Sequence, residues 1–243
     1  MKTLCVAVIV LSLTSVCQPA SLACEKLLKP EARDIDLLGK WYIVAISSES
    51  CWLNAFNVVF EPSGDMNFAS KDTSNIYEIT VRVKMHGYCI NETESILYQN
   101  NTMFDLDVNN TVTGKPDKLM QSVCPDCIVG QTVDEDFMSG LWLLSRRQKV
   151  TAAELAEFEA QGKCLGLKKS VLFGTNHDYE NCPSWDDIDM DDDDDDGNLS
   201  AVLFKVLEKM KSNFAVPLLC LVESINFYEL LYEWAQETWT SLR

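Results

Sequence analysis

A strict alternation of apolar and polar residues is the plainest pattern along this chain. Tyr77, Ile79, Val81, Val83 and Met85 interleave with Glu78, Thr80, Arg82, Lys84 and His86, which predicts a strand with one buried and one wet face. Residues 39–46 read as a first strand. Phe56, Val58 and Phe60 alternate, and after the turn signal Pro62-Ser63-Gly64-Asp65 so do Met66 and Phe68, so strand is expected on both sides of that turn. Phe104, Leu106 and Val108 alternate with Asp105 and Asp107, and further β-runs lie near 127–133 and 141–146. This makes about eight strands with short polar turns, an all-β pattern that closes best as an up-and-down barrel or a sandwich.

A helix breaks the pattern late in the chain. Thr151 precedes Ala152-Ala153-Glu154, the T-x-x-E of a capping box; Leu155 and Phe158 share a face, and Gly162 is a natural stop. A short strand over 170–173 follows. Beyond Cys182 come Asp186, Asp187, Asp189 and Asp191 to Asp196, a self-repelling run that predicts a disordered linker over 184–198. Leu199, Val202, Leu203, Val206, Leu207, Met210 and Phe214 then recur at spacings of three and four, which predicts an amphipathic helical tail over 199–243. Such a tail could pack on the barrel, dock on a partner protein or membrane surface, or stay poorly ordered; packing or a partner fits its apolar face best.

Composition changes the picture in three ways. Residues 4–13 form an apolar run behind Lys2, and Ser21 and Ala23 suit cleavage before Cys24, so residues 1–23 read as a signal peptide and the mature chain as secreted. Eight cysteines then remain (Cys24, Cys51, Cys89, Cys124, Cys127, Cys164, Cys182 and Cys220), an even set that reads as a disulfide framework. Asn91, Asn100, Asn109 and Asn198 head glycosylation sequons, three of them close together in turn-rich sequence. The formal charge of −17 and the lack of a basic stripe exclude nucleic acid as a partner. Residues 184–243 hold 14 acids and 4 bases, net −10, so much of the acidity belongs to the tail.

Gly39-Lys40-Trp41-Tyr42 resembles the G-x-W signature of the lipocalin family, and Leu144-Ser145-Arg146 resembles its late-strand motif, whose arginine packs across the signature tryptophan. A guanidinium over an indole face is a cation–π contact suited to a partly dry site. Two segments point to the lipocalin branch of orosomucoid, apolipoprotein M and the fish saxitoxin- and tetrodotoxin-binding proteins. One is Cys89-Ile90-Asn91-Glu92-Thr93; the other runs from the helix over 151–164 to Cys182. The resemblance covers roughly residues 24–183. It implies an eight-stranded up-and-down antiparallel lipocalin barrel with one helix on its C-terminal side, Trp41 and Arg146 as the barrel-closing pair, and the bridges Cys24–Cys164 and Cys89–Cys182. Cys51, Cys124, Cys127 and the tail depart from that pattern. With Cys220 these extra cysteines allow three pairings, among which the sequence does not choose.

The functional expectation is an extracellular carrier that holds a small hydrophobic or amphipathic ligand, of lipid, steroid, drug or toxin class, inside the barrel. Phe60, Phe68, Tyr77, Ile79, Val81, Val83, Phe104, Leu106 and Trp142 are the candidate lining. Apolar stripes in an arbitrary β-domain are usually packing alone, and the resemblance is what turns them into a pocket. No cofactor or metal is expected. Cys124-Pro125-Asp126-Cys127 lacks the helix start of a redox motif and a second ligand pair for zinc, so a structural disulfide is the better reading. His86 and His177 read as surface residues. Ser50-Cys51-Trp52 resembles the prostaglandin D synthase lipocalin, but its chemistry needs a thiolate inside the barrel, so no enzyme is expected. A solid barrel acting through its tail is the other alternative. A guanidinium toxin would want an inward carboxylate or aromatic face, and Asp105, Asp107 and Glu78 alternate to the outside on this reading; a slip of one residue would turn them inward.

Overall fold

The computed structural model describes residues 19–133, 139–180 and 182–184, together with residues 204, 206–209, 211, 215 and 220. The expected acidic linker beyond Ser184 lies outside the described residues, as do Asn198 and most of the expected leader and tail. The eight described tail residues are helical.

Eight antiparallel strands form the core of the fold: β1 Gly39–Ser48, β2 Ser63–Ser70, β3 Ile76–Met85, β4 Tyr88–Gln99, β5 Thr102–Leu106, β6 Val112–Met120, β7 Cys127–Thr132 and β8 Gly140–Ser145. Each pairs with the next, and β8 returns to β1, so the sheet closes on itself and leaves no long edge unpaired. A bulge between Ile43 and Ala45 lets β1 pull away from β2. The freed edge at Ala45 and Ile46 pairs with a two-residue strand, β9 Val171–Leu172. Helix α1 covers Pro19–Leu27, α2 Cys51–Phe60 and α3 Ala152–Cys164.

Alternation along the strands produces two separate apolar clusters. Val44, Ala45, Val129, Leu141 and Leu143 point outward and are covered by Phe158 of α3, with Leu155 and Leu28 beside it. The capping box that starts α3 is formed: the Thr151 hydroxyl accepts from the Glu154 amide at 3.3 Å, and the Glu154 carboxylate accepts from the Thr151 amide at 2.7 Å. Such a cap contributes about 1 kcal/mol. Trp41, Ile43, Phe68, Ile79, Ile96, Tyr98, Met103, Leu119, Ile128 and Leu144 point inward and pack together.

The segment at 51–60 corrects the expectation of a strand. Its apolar residues are nearly continuous, so the alternation of Phe56, Val58 and Phe60 fits a helix equally well. Ser50 settles the matter by capping the Leu53 amide. Ala55 and Val59, four apart, are buried on one side, and Phe56 and Phe60 stack at 4.4 Å on the other. Phe60 therefore ends a helix at the rim and does not line a strand.

Candidate functional site

One end of the barrel is shut. Trp41 is 3% exposed and donates its indole N–H to the Leu37 carbonyl at 2.8 Å. The Arg146 guanidinium lies over the ring at 3.8 Å and donates to the carbonyls of Lys40, Asp36 and Leu38 at 2.9, 3.0 and 2.6 Å. The segment before β1 is thereby drawn under the barrel, with Leu37 wholly buried. Asn101 adds a tie from the β4–β5 hairpin, donating to the Glu31 carbonyl at 2.8 Å.

The inner wall rises from this floor, and most of the expected lining faces it. Phe68 and Ile79 are buried in the inner cluster, with Tyr77, Val81 and Trp142 packed against it. Val83 shares their face, opposite Gly64 and Ile90. Phe104 and Leu106 do not: they pair with Leu97 and Ser95 on the outer face. The turn explains the correction. Asn100 and Asn101 both have positive φ, 53° and 55°, the signature of a two-residue type I′ hairpin loop. That loop sets Tyr98 opposite Met103 and Ile96 opposite Asp105, so Met103 and Asp105 face inward. Val108 lies beyond β5 and is 98% exposed.

Further up, the inner wall becomes polar. Glu94 lies opposite Ile79, Asp105 opposite Ile96, and Asp117 opposite Met103, so these three carboxyls share the inner face with the apolar set, and Glu92, opposite Val81, joins them nearer the rim. Trp142 donates its indole N–H to Asp117 and to the Thr132 hydroxyl, both at 3.1 Å. Gly130 makes room for that indole, since a Cβ there would fall inside the Trp142 ring. Loss of water pushes the Asp117 carboxyl up to about 6; the Asp105 charge adds to this and the bonds from Thr132 and Trp142 oppose it. Glu94 is raised by loss of water first and then by the charges of Asp105 and Glu92, and Asp105 by loss of water. Glu94 and Asp105 nevertheless remain open to solvent. These two side chains therefore lie on the inward-facing side of their strands while keeping contact with solvent. Sequence reasoning missed this group because it placed Asp105 outside; the Asn100-Asn101 pair was the signal that could have corrected it. Glu78 does face outward, where it pairs with Lys71 at 3.7 Å.

The open rim carries the disulfides that matter for access. Cys51 starts α2 just after β1 ends, and it is bridged to Cys220. It therefore has no thiol to offer for catalysis. Cys89, next to the β3–β4 turn, is bridged to Cys182, and Cys24 to Cys164, the two bridges implied by the resemblance. Cys124 and Cys127 form a local bridge. The strap that leads to Cys182 crosses the outer wall: the Ser63 hydroxyl donates to the Asn176 carbonyl and Lys84 to that of Asp178. His177 stacks near Tyr42 at 4.6 Å, and Arg82, held by wholly buried Asp65 at 2.8 Å, sits under Tyr179 at 4.4 Å. His177 is thus half-buried beneath the strap, where desolvation lowers its pKa. His86 is half-buried too, against Phe60 at 5.6 Å. Asn91, Asn100 and Asn109 are all exposed.

An eight-stranded antiparallel barrel, shut at one end by a Trp–Arg pair and flanked by a helix packed outside, defines a lipocalin-type protein. Residues 3–184 match the ApoM domain, so the chain belongs to that lipocalin-type family. Among solved structures, the siderocalin Ex-FABP, described as functioning through dual ligand specificities, is 15% identical with a TM-score of 0.46, covering 56% of this chain and 93% of its own. Siderocalin Q83, described as revealing a dual ligand binding mode, is 14% identical with a TM-score of 0.43, covering 57% and 89%. No curated protein matches the chain. Lipocalins of this type bind small ligands and act as carriers, which places this barrel in the same broad class.

Proposed function

We propose that this protein is an extracellular, non-enzymatic carrier for a small amphipathic molecule. The observation that carries this reading is the wet inner face of β4 and β5. Glu94 and Asp105 point inward yet stay open to solvent, which supports an upper barrel with room for a ligand. The ligand's apolar body fits against Phe68, Ile79, Ile96 and Met103, where apolar burial contributes roughly 25 cal/mol per Å². Its polar end faces Asp117, Asp105 and Glu94, which favours an amine or another hydrogen-bond donor over a carboxylate or phosphate. The even cysteine set and the three exposed sequons support secretion, with cleavage before Cys24 leaving the Cys24–Cys164 bridge intact.

Native mass spectrometry of the secreted, deglycosylated protein tests the carrier reading directly. A mass excess that vanishes on denaturation is expected, and its value gives the ligand class. Titration with dodecylamine and with lauric acid then tests the polar end. The amine should bind more tightly at pH 7, and its advantage should shrink below about pH 6 as Asp117 takes up a proton. A bare mass together with no saturable binding of either compound would sink the proposal.

A further inference from the structure

We infer that the outer wall of the barrel carries a second binding site, a cleft between Lys40 and Arg82 that takes a phosphate or sulfate group. This site is separate from the carrier site inside the barrel and does not rest on it. The register of the first four strands builds it. Lys40 lies opposite Asn67, Asn67 opposite Thr80, and Thr80 opposite Thr93, one row across β1 to β4. Tyr42, Asp65, Arg82 and Asn91 make the neighbouring row in the same way. Both rows face outward, because the residues between them, Trp41, Met66 and Val81, pack in the inner cluster. Lys40, Asn67, Thr80 and Arg82 line a cleft of about 330 Å³ on this outer wall.

The charge of the cleft follows from a carboxylate beneath it. Asp65 is wholly buried and accepts from Arg82 Nε and Nη2, both at 2.8 Å. A buried carboxylate needs a partner, and a two-bond pairing with a guanidinium is complete by itself. Lys40 brings a second cation within 3.4 Å of the same carboxylate, its side chain 44% exposed. Two cations around one anion leave a positive charge over, on a chain whose formal charge is −17. Aromatic rings steady both cations: Tyr179 lies 4.4 Å from the guanidinium and Tyr42 5.8 Å from the ammonium. Tyr179 adds no charge of its own, since burial first and then the Asp65 charge raise its pKa. Each lining side chain carries an N–H or O–H donor, and none of the four is acidic or apolar. A tetrahedral oxyanion offers oxygens in several directions, towards both cations, the Thr80 hydroxyl and the Asn67 amide; a planar carboxylate reaches fewer of them. The inner wall, with its carboxyls, repels such a group, so the two sites select opposite charges.

The test uses the secreted protein, with its glycans and after their removal, and three probes: inorganic phosphate, inorganic sulfate and glycerol 3-phosphate. At saturation each should slow reductive methylation of Lys40 by about threefold or more, read by peptide mass spectrometry, and leave that of Lys71 unchanged. Phosphate affinity is read by phosphorus NMR. Lys40→Gln keeps the Arg82–Asp65 pair and hence the fold, and should weaken phosphate by about tenfold, as expected for one lost charged hydrogen bond. Thr80→Val should weaken it by a smaller factor. Lys71→Gln removes the same charge outside the cleft and should leave affinity within about twofold. Tighter binding of glycerol 3-phosphate than of inorganic phosphate would support the site and identify its group as an ester; the reverse would support it and identify a free ion. No protection of Lys40 by any probe would overturn the site. So would equal losses in Lys40→Gln and Lys71→Gln, since net charge alone would then govern binding. Protection that appears only after glycan removal would overturn it too, because the cleft would then be the seat of a sugar on Asn91, the neighbour of Arg82 in the register.

Discussion

At its shut end the barrel presents Leu37, Trp41 and Arg146, with the indole N–H and three guanidinium N–H groups aimed at carbonyls. Higher in the barrel β4, β5 and β6 present Glu94, Asp105 and Asp117, three carboxyls on the inner face, two of them open to solvent. One end has its polar groups paired over a buried indole. The other gathers like charges and holds them against partial desolvation, which lowers the stability of the free protein. A fold under selection for stability alone would fill that half with leucine. Groups held in costly surroundings mark the places where a protein binds something, and here the cost falls at the end where a ligand must pass.

The largest expected effect tests the shut end. Trp41→Ala should destabilise by about 3–5 kcal/mol, since it empties the floor of the inner cluster, as read by chemical denaturation. A change below about 1 kcal/mol would show that the floor is not what holds the barrel closed. Next, Met103→Ala should cost about 2–4 kcal/mol and weaken dodecylamine binding, whereas Phe104→Ala on the outer face should leave binding unaltered. The reverse result would mean that β5 lies one residue out of register. Arg146→Met should then cost about 1–3 kcal/mol through the lost stacking and three carbonyl bonds, with dodecylamine affinity kept. Lost affinity would make the two ends one unit.

The smallest effect is the most specific to the open end. Asp117 has its carboxyl raised from the usual 3.8 to about 6 in the folded protein. Between those values the folded chain keeps a proton that the unfolded chain has released, so stability should fall as pH rises through that window. Asp117→Asn should remove this slope and raise stability at pH 7 by about 1–2 kcal/mol, while lowering affinity for dodecylamine. Denaturation curves taken at pH 4.5 and pH 7 check it. A slope that survives in the variant would assign the effect to Glu94 or Asp105.

Much of this was legible in the alternation. β3 turns its expected apolar face inward, with Ile79 buried in the inner cluster and Tyr77 and Val81 packed against it, because five apolar residues at a period of two share one side of a strand. Trp41 and Arg146 meet as their motifs implied. The misreadings came where the pattern was short or where a turn decided the outcome. Three alternating residues at 56, 58 and 60 did not exclude a helix, and Ser50 as a cap outweighed them. At β5 the apolar residues Phe104 and Leu106 lie outside and the acid Asp105 inside, against the usual rule, because the left-handed Asn100-Asn101 loop sets the register. A hairpin loop commits a strand before burial can choose its face.

The sequence by itself determined the all-β class, the helix that follows the barrel with its capping box, and the chemistry of the closing pair, because each depends on local period or on residue type. Only the tertiary structure decided which face of β5 looks inward and that Cys51 reaches Cys220. Those facts turn on which distant segments come together when a closed sheet forms. Closure is a property of all eight strands at once, and no stretch of a few residues encodes it.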